Sequence, residues 1–426
     1  MASGATFAER FLGFALMLEI VMAAFEGPLR SLLNLFHLDF LIFVRDAVLV
    51  VAVILCVVSR VARNESCAAL GIFFLLIGVH GFVSVVNLHS VVPMAYGLKL
   101  ALPALCGFLA CSAIYRPSRR VILAIAGIWV LVCCGAAYDK SITGDLPWVG
   151  VSVELGGIDV SLARDWHTGA IKRVGGFSRS SIGLAVMLPL LSFMLLASLR
   201  NRLILTIVCG VTLVGLVWTT QKGAILGYGF ALLALVLSRP MMTLPLRLAV
   251  VFSAAMVVVA PSVLIHFDMP RDQGTFSFES FISRIEEIWP AAWHWIGRYS
   301  PLMGVGLGGI GGAQRLYAPD DFNPSDNMFL YLFANCGLMS LVYIAAVVLI
   351  ALSARLRDYR RDSVVAASLV FLFGYGLVLS LLEDQIASMW FGATVGWLAG
   401  LGPDATPTGD EIGRSDDIAS RRLVER

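Results

Sequence analysis

Residues 120–138 read RVILAIAGIWVLVCCGAAY, and this stretch decides the fold class. Apart from Arg120 it carries no charge, and a helix of that length covers the hydrocarbon core of a bilayer. Lipid offers the backbone no hydrogen-bond partners, so an apolar stretch that crosses it must be helical. Similar runs recur along the chain, at 8–26, 40–59, 67–87, 93–114, 178–199, 203–220, 223–238, 246–265, 326–351, 364–382 and 385–401. We therefore predict an all-α integral membrane protein with about twelve transmembrane helices.

The composition excludes an ordinary soluble domain. Hydrophobic residues make up 58% of the 426 residues and charged residues 14%, against roughly 45–50% and about 25% in soluble proteins. The net charge of +2 gives no reason to expect a nucleic-acid partner. The eight cysteines lie in or beside apolar runs without the spacing of a metal site, so we expect neither a metal nor another cofactor. The polar tail 402–426 is predicted to be disordered and cytoplasmic, which leaves 1–401 as one transmembrane domain.

Arginines mark the cytoplasmic side of the predicted bundle. They occur in every second connection between apolar runs, at Arg60 and Arg63, at Arg116, Arg119 and Arg120, at Arg200 and Arg202, at Arg239 and Arg247, and at Arg355, Arg357, Arg360 and Arg361. By the positive-inside rule these connections face the cytoplasm. The alternate connections then face outward, both termini face inward, and the two long segments 139–177 and 266–325 lie outside the cytoplasm.

The two long outer segments carry side chains that a simple linker would not need. The first contains Trp148, Arg164, Trp166, His167, Lys172 and Arg173. The second has an apolar stripe at helical spacing between Phe278 and Ile296, with Pro290 expected to kink it. Its opposite face carries Arg284, Glu287, His294 and Arg298. We expect short amphipathic helices here that lie on the membrane surface and turn these charges towards water or a ligand.

Two cations stand at the outer ends of apolar runs. Arg173 and Lys222 each begin such a run beside glycine, at the depth where a lipid phosphate lies. Arginine offers phosphate a flat bidentate fork and lysine a point charge. Binding of an anionic lipid head group and simple solvation at the surface are both compatible with this pattern.

A glycine-rich stretch precedes the tenth apolar run. Residues 301–312 read PLMGVGLGGIGG, but no strand precedes them, so a nucleotide-binding loop lacks its required context. A flexible turn that returns the surface helix to the bundle explains the glycines. Beyond it, Ser325 or Asp326 is a natural N-cap for the next helix.

Three stretches resemble the O-antigen ligase and polymerase superfamily, the Wzy-like membrane glycosyltransferases. They are RVGGFSRSSIGLAVML at 173–188, WTTQKGAILGYGFALLALVL at 218–237, and SRIEEIWPAAWHWIGRYSPLMGVGLGG with SDNMFLYLFANCGLMSL between 283 and 341. The resemblance covers the second half of the chain. In the first half it is limited to the pattern of helices and the Arg45–Asp46 pair.

The resemblance implies transfer of a sugar chain from a polyprenyl pyrophosphate carrier to an acceptor hydroxyl, without a nucleotide sugar. The reaction would take place at the periplasmic face of a bacterial inner membrane. Expected partners are the lipid-linked glycan donor, a glycan acceptor, membrane lipid, a chain-length regulator and a flippase. In such proteins an arginine opens the helix after the first long outer loop, which matches Arg173. Another commonly lies in an SRG-like turn, where this chain has Lys222.

The resemblance also assigns roles around the start of the tenth run. Ligases of the superfamily carry a His-Asn pair where this chain has Asp326 and Asn327, which favours a polymerase. Asp326 is the expected general base and Asn327 an expected substrate-binding residue. The cations expected to bind the substrate and stabilise the departing diphosphate are Arg173, Lys222, Arg284 and Arg298, with Arg284 counted as catalytic. A single displacement predicts inversion at the anomeric carbon.

Two other functions stay open from the sequence. The first is a ligase that moves finished chains to lipid A core or to a protein. The second is a flippase or secondary transporter of lipid-linked glycans, which would also have about twelve helices. A transporter is expected to have interrupted helices in two corresponding halves and short loops. About sixty residues of this chain lie in the second outer segment alone, which favours an enzyme.

Overall fold

The computed structural model describes residues 7–63, 67–155, 158–161, 163, 167–168, 171–239, 242–267 and 278–401. Arg164, Trp166 and the tail 402–426, all named above, lie outside the described part, as do residues 268–277 of the second outer segment. The helices before residue 150 are α1 (Phe7–Ala24), α2 (Glu26–Leu35), α3 (Val44–Ala62), α4 (Ala68–Leu88), α5 (Val92–Leu109), α6 (Cys111–Tyr115) and α7 (Arg119–Ser141). Four short strands follow, β1 (Ser152–Leu155), β2 (Ile158–Ser161), β3 (His167–Thr168) and β4 (Ile171–Lys172).

The second half of the described chain is again helical. Its helices are α8 (Ser181–Ser198), α9 (Arg202–Thr219), α10 (Lys222–Leu237), α11 (Leu244–Val263), α12 (Glu279–Ser283), α13 (Trp289–Ile296), α14 (Met328–Cys336), α15 (Met339–Ser353), α16 (Tyr359–Gly376) and α17 (Gln385–Gly396). A π-helical turn at Arg284–Ile288 joins α12 to α13. Short 3-10 turns occur at Gly311–Leu316 and Pro319–Asp321, between α13 and α14, and at Leu381–Glu383, just before α17.

Apolar helices of membrane-crossing length confirm a multi-pass membrane protein. Seven helices of the described chain are long and apolar enough to span a bilayer, and the pair α1 and α2, bent by 83°, adds an eighth if it is one broken span. The α10 and α15 helices are apolar but shorter. The α16 helix has the length, but it begins with three charged residues among its first four. The count of twelve spans and their orientation stay predictions.

The α8 helix lies at the centre of the bundle. Its membrane-length window is 83% buried, against 22–39% for the other six candidate spans, so protein rather than lipid surrounds it. It packs against α7, α9 and α16. Elsewhere α5 and α17 pack backbone to backbone, because a Cβ on Gly107 would collide with the carbonyl of Met389 and one on Gly392 with that of Ala104. Such glycines permit the close approach that helix association in lipid requires.

One predicted span is broken in two. The apolar run 326–351 was expected to be a single helix, but α14 ends at Cys336 and α15 begins at Met339. Gly337 between them has φ +57°, and a Cβ there would lie 2.5 Å from the carbonyl carbon of Leu302. The turn therefore needs glycine, and it lets the stretch after α13 pack against the break.

The first outer segment departs from the predicted amphipathic helices and from a strictly all-α fold. Strands β1 and β2 pair antiparallel, with Val153 opposite Val160, and β3 pairs with β4 in the same sense. The sequences SVEL and IDVS flank a glycine pair at 156–157, which is a hairpin pattern. That local signal is stronger than any helical period in this segment.

The second outer segment is helical where an apolar stripe predicted it. The α12 helix, the π turn and α13 run from Glu279 to Ile296, and Trp289 is fully buried. The glycine-rich stretch then forms a turn, as the simpler interpretation proposed. The side-chain Oδ1 of Asn335 accepts hydrogen bonds from the N–H groups of Gly308 (2.6 Å) and Gly309 (3.2 Å), which fixes that turn on α14.

Candidate functional site

The site is built around an ion pair between two segments that are distant in sequence. Arg284 lies at the start of the π turn, and its Nη2 is 3.0 Å from Oδ2 of Asp326. Its Nε donates to the carbonyl of Val378 (3.0 Å) and its Nη1 to that of Ser280. The two charged side chains are 18% and 17% exposed, so both remain open to a ligand. The structure thus brings together the two residues predicted to be catalytic.

Asp326 is presented by an unusual backbone. Ser325 has φ +56° and Asp326 has φ +39°, both in the left-handed region that costs energy for residues other than glycine. The Asp326 N–H donates to the carbonyl of Pro324 (2.7 Å), and Nε1 of buried Trp289 donates to the Asp326 carbonyl (3.4 Å). The surrounding fold therefore holds Asp326 in a conformation that an exposed loop would leave.

The cap of α14 is Asn327 rather than Ser325 or Asp326. The Asn327 Oδ1 accepts from the N–H of Leu330 (3.0 Å), while its Nδ2 donates to the carbonyls of Val257 (3.2 Å) and Leu377 (3.0 Å). The residue is fully buried. The capping interpretation of Asp326 was therefore wrong, and the side chain of Asn327, which was expected to bind substrate, is instead occupied in joining α14 to α11 and to the end of α16.

Three cations converge at one end of the bundle. Arg173 follows β4, Lys222 begins α10, and Arg284 belongs to the second outer segment. Partial burial lowers the pKa of Arg173. Repulsion between its guanidinium group and that of Arg284 lowers this pKa further. Lys222 is in turn close enough to Arg173 to be repelled by it. An anion placed among the three would relieve this repulsion.

A glutamine holds the elements that carry these cations. Gln221, immediately before Lys222, donates through Nε2 to Oγ of Ser181 at the start of α8 (3.2 Å). It accepts from the hydroxyl of Tyr375 on α16 (3.4 Å). The preceding Thr220 has φ +57° and ends α9 in a left-handed cap. The turn expected to resemble an SRG motif is thus tied to the two central helices.

Arg298 lies apart from the Arg284–Asp326 pair. It follows α13, about 20 Å from Arg284 along a helical path at 1.5 Å per residue. Its Nη1 is 3.4 Å from Oδ2 of Asp321, and its guanidinium stacks 5.0 Å from the ring centre of Trp295. The structure does not bring this predicted substrate-binding cation to the other three.

Glu383 is a site residue that the sequence interpretation missed. Its Oε1 accepts from the N–H of Gly312 (2.7 Å) and its Oε2 from the hydroxyl of Ser380 (3.3 Å). Burial raises the pKa of Glu383 to about 7, and the nearby negative charge of Asp326 acts in the same direction. The signal available in the sequence is the acidic pair at 383–384 in a short connection between apolar runs.

A small pocket lies beside Arg173. It encloses about 280 Å³ of space not filled by protein, open solvent included. Its lining residues are Asp139, Asp145, Val149, Ala163, Lys172, Arg173, Gly175, Gly176, Ser178, Arg179 and Ser180. The end of α7 and the start of α8 meet here, so the pocket borders the segment that carries Arg173.

Residues 207–345 match the family model Wzy_C, described as O-Antigen ligase. The matched segment begins in α9 and ends in α15, so it contains Lys222, Arg284 and Asp326, whereas Arg173 and Glu383 lie outside it. No curated protein and no solved structure matches the chain. The match confirms the resemblance to the O-antigen ligase and Wzy-type superfamily, whose members are membrane glycosyltransferase-like ligases and polymerases.

Proposed function

We propose that this chain, whose residues 207–345 match the O-Antigen ligase family model, polymerises lipid-linked oligosaccharide repeat units. It would transfer a growing glycan from polyprenyl pyrophosphate to a sugar hydroxyl of the next repeat unit. The observation that carries the proposal is the convergence of Arg173, Lys222 and Arg284 beside the Asp326 carboxylate.

The three cations suit a donor whose leaving group is a diphosphate. Negative charge builds on the bridging oxygen as the bond to the anomeric carbon breaks, and preorganised cations stabilise it. Arg173 and Arg284 offer bidentate forks, whereas Lys222 supplies a point charge. Arg173 lies in the loop between β4 and α8, and Lys222 begins α10. At the predicted outer end of the bundle both would reach a diphosphate at the membrane surface.

Asp326 is the proposed base for the acceptor. In the structure Arg284 occupies its carboxylate, and a diphosphate would offer that guanidinium a second anion. If Arg284 turns to the diphosphate, Asp326 is released to accept a proton. The acceptor oxygen then attacks the anomeric carbon, the carbon–oxygen bond to the diphosphate breaks, and the hydroxyl proton goes to Asp326. One displacement without a covalent intermediate inverts the configuration at that carbon.

We assign Glu383 to the onward transfer of that proton. Its carboxyl is within electrostatic range of Asp326, and a pKa of about 7 lets it gain or lose a proton near neutrality. Ser380 connects the two regions, because its Oγ also lies 2.8 Å from the carbonyl oxygen of Pro324, two residues before Asp326. In this arrangement two carboxyl groups serve the acceptor side and the cations serve the donor side.

A ligase is the second candidate, and the description of the matched family as O-Antigen ligase favours it. The same cations and carboxylates could transfer a finished chain to lipid A core. The residue before Asn327 favours polymerisation, since ligases of the superfamily carry histidine where this chain has Asp326. A polymerase and a ligase use the same kind of donor and differ in the acceptor. Identifying the acceptor therefore distinguishes the two functions.

Reconstitution with defined substrates tests the proposal. Purified protein in lipid nanodiscs is given a polyprenyl-pyrophosphate-linked repeat unit alone, or together with lipid A core. A ladder of lipid-linked oligomers with release of free polyprenyl pyrophosphate is the expected result for the first mixture. Product on lipid A core alone would establish the ligase. Unchanged donor in both mixtures, with transbilayer movement of the donor in vesicles, would overturn the enzyme proposal in favour of a transporter.

A further inference from the structure

We propose that Asp139 is a positioning residue for the anion site, holding the loop 172–177 in the conformation that directs Arg173 towards Lys222 and Arg284. This rests on the proposed function, because it takes Arg173 to bind the donor diphosphate. Asp139 lies in the last turn of α7 and is 2% exposed. It would act through Arg173 and not on the reacting atoms.

The Asp139 carboxylate binds the loop on both sides of Arg173. Its Oδ1 is 2.7 Å from Nζ of Lys172, the residue before Arg173. Its Oδ2 accepts from the N–H groups of Gly175 (2.9 Å) and Gly176 (2.8 Å), which follow Arg173. Hydrogen bonds to an ionised carboxylate are shorter and stronger than those between neutral groups. One buried side chain thus fixes three residues of a six-residue loop.

The remaining loop residues are fixed by neighbouring helices. The N–H of Val174 donates to the carbonyl of Trp218 (3.2 Å), and the carbonyl of Phe177 accepts from the N–H of Gly27 (3.0 Å). Gly176 has φ +58°, and a Cβ there would lie 3.0 Å from the backbone nitrogen of Ala136 on α7. The loop therefore lies directly on α7, close enough for Asp139 to reach it.

Electrostatics explains why such a clamp is needed. Arg284 and Lys222 both repel Arg173, so without a bound anion a loosely held loop would carry Arg173 away from them. Holding the three cations together before substrate arrives is the preorganisation that makes electrostatic stabilisation effective. Asp139 supplies part of the holding force, while its own negative charge is balanced by Lys172.

Asp145 provides a matched control in the same pocket. Its Oδ1 lies 3.6 Å from Nζ of Lys172, so it shares the lysine with Asp139, but its side chain is 39% exposed. In the part of the chain that the structure describes, Asp145 forms an ion pair with Lys172. The N–H groups of Gly175 and Gly176 instead donate to Asp139. Asp145→Asn therefore makes the same charge change without releasing the loop.

The test measures the KM for the lipid-linked donor, and binding of inorganic pyrophosphate, in nanodisc-embedded protein. Asp139→Ala is expected to raise the KM about 10- to 100-fold, because a binding group misplaced by about 1 Å causes a loss of that size. The change in kcat should be smaller. Asp139→Asn should be intermediate, because its amide oxygen still accepts from the glycines but cannot neutralise Lys172. Asp145→Asn should stay within about threefold of the parent, the range expected of an exposed ion pair.

A double-mutant cycle separates positioning from general damage. If Asp139 acts through Arg173, adding Asp139→Ala to Arg173→Ala causes no further loss of donor affinity. An equal loss in both backgrounds would overturn the proposal. If Arg173→Ala alone leaves donor affinity unchanged, the proposed anion site itself fails. If Asp139→Ala does not accumulate in the membrane, Asp139→Asn and Lys172→Met are measured instead. Parental donor affinity in both of these variants would overturn the proposed role of Asp139.

Discussion

The guanidinium of Arg284 and the carboxylate of Asp326 lie 3.0 Å apart, each less than one fifth exposed. This pair joins a π turn of the second outer segment to the residue that precedes the cap of α14. An arginine placed between a carboxylate and two further cations has two possible partners once an anionic substrate arrives. In the proposed mechanism this ion pair would hold Asp326 inactive as a base until the donor is bound.

Asp326→Asn is expected to lower kcat by roughly 10² or more, because an amide cannot take a proton from the acceptor hydroxyl. Folding should survive, since Asn327 and not Asp326 caps α14. Initial rates of oligomer formation, at equal amounts of membrane-inserted protein, provide the measurement. Near-parental polymerisation would show that the base lies elsewhere.

Asn327→Ala is the structural counterpart of that variant. Loss of a cap costs about 0.5–2 kcal/mol, and the carbonyls of Val257 and Leu377 would lose their donor as well. We therefore expect a lower unfolding temperature for Asn327→Ala than for Asp326→Asn. The opposite order would mean that Asp326 carries the structural role.

Much of the bundle was predictable because the apolar runs are long and the interruptions between them are charged. Runs at 120–138, 203–220 and 246–265 correspond to α7, α9 and α11 within a few residues. Hydropathy is insensitive to a backbone break inside an apolar run, so the separation of α14 from α15 was missed. That break depends on the backbone of Leu302, which approaches Gly337 from elsewhere in the fold.

The site was predictable in part. Arg173, Lys222 and Asp326 stand out because charge at the edge of an apolar run is costly unless it is used. Asn327 could not be separated from its neighbours, since serine, aspartate and asparagine all cap helices well. Glu383 could not be recognised as buried, because its surroundings come from Gly312 and Ser380, and only the folded chain places Gly312 beside it.

Removing the charge of Arg173 or Lys222 should weaken donor binding. We expect Arg173→Gln and Lys222→Gln each to raise the KM for lipid-linked donor about tenfold or more, since charge-assisted bonds contribute roughly 1.5–3 kcal/mol each. Lys222→Arg should retain activity, because a guanidinium keeps the charge and adds a phosphate fork. Arg298→Gln is the matched control, and its salt bridge with Asp321 predicts a smaller effect. Unchanged KM in both glutamine variants would make these cations ordinary surface charges.

Cysteine labelling tests the predicted orientation. Ser300 and Ser353 are exposed and lie at opposite predicted faces, Ser300 in the second outer segment and Ser353 beside an arginine-bearing connection. In a background without the exposed Cys134, an impermeant maleimide should label Ser300→Cys in intact cells and Ser353→Cys only after lysis. The reverse pattern would invert the topology and place the candidate site in the cytoplasm.

Glu383 should set the pH dependence of turnover near neutrality. Its pKa is raised to about 7 by burial, so the carboxyl is protonated below that pH and ionised above it. Only the ionised form can accept a proton, and kcat is therefore expected to rise as pH increases through 7. Glu383→Gln should lower kcat and abolish this rise, because glutamine does not titrate. A rise that persists in Glu383→Gln would assign the titration to another group.

A stability measurement gives the Glu383 prediction a second readout. Because the folded-state pKa lies above that of an unfolded glutamate, the contribution of this group to stability is present at low pH and is lost as pH rises to about 7. Glu383→Gln should remove that part of the pH dependence of the unfolding temperature. Asp384→Asn is the matched control: burial raises the pKa of Asp384 to about 6, and its carboxylate caps α17 through the N–H of Ala387 (2.9 Å). Asparagine preserves such a cap, so Asp384→Asn should keep the rise in kcat through pH 7. If both variants lose the rise, the cause is the connection before α17 as a whole and not Glu383.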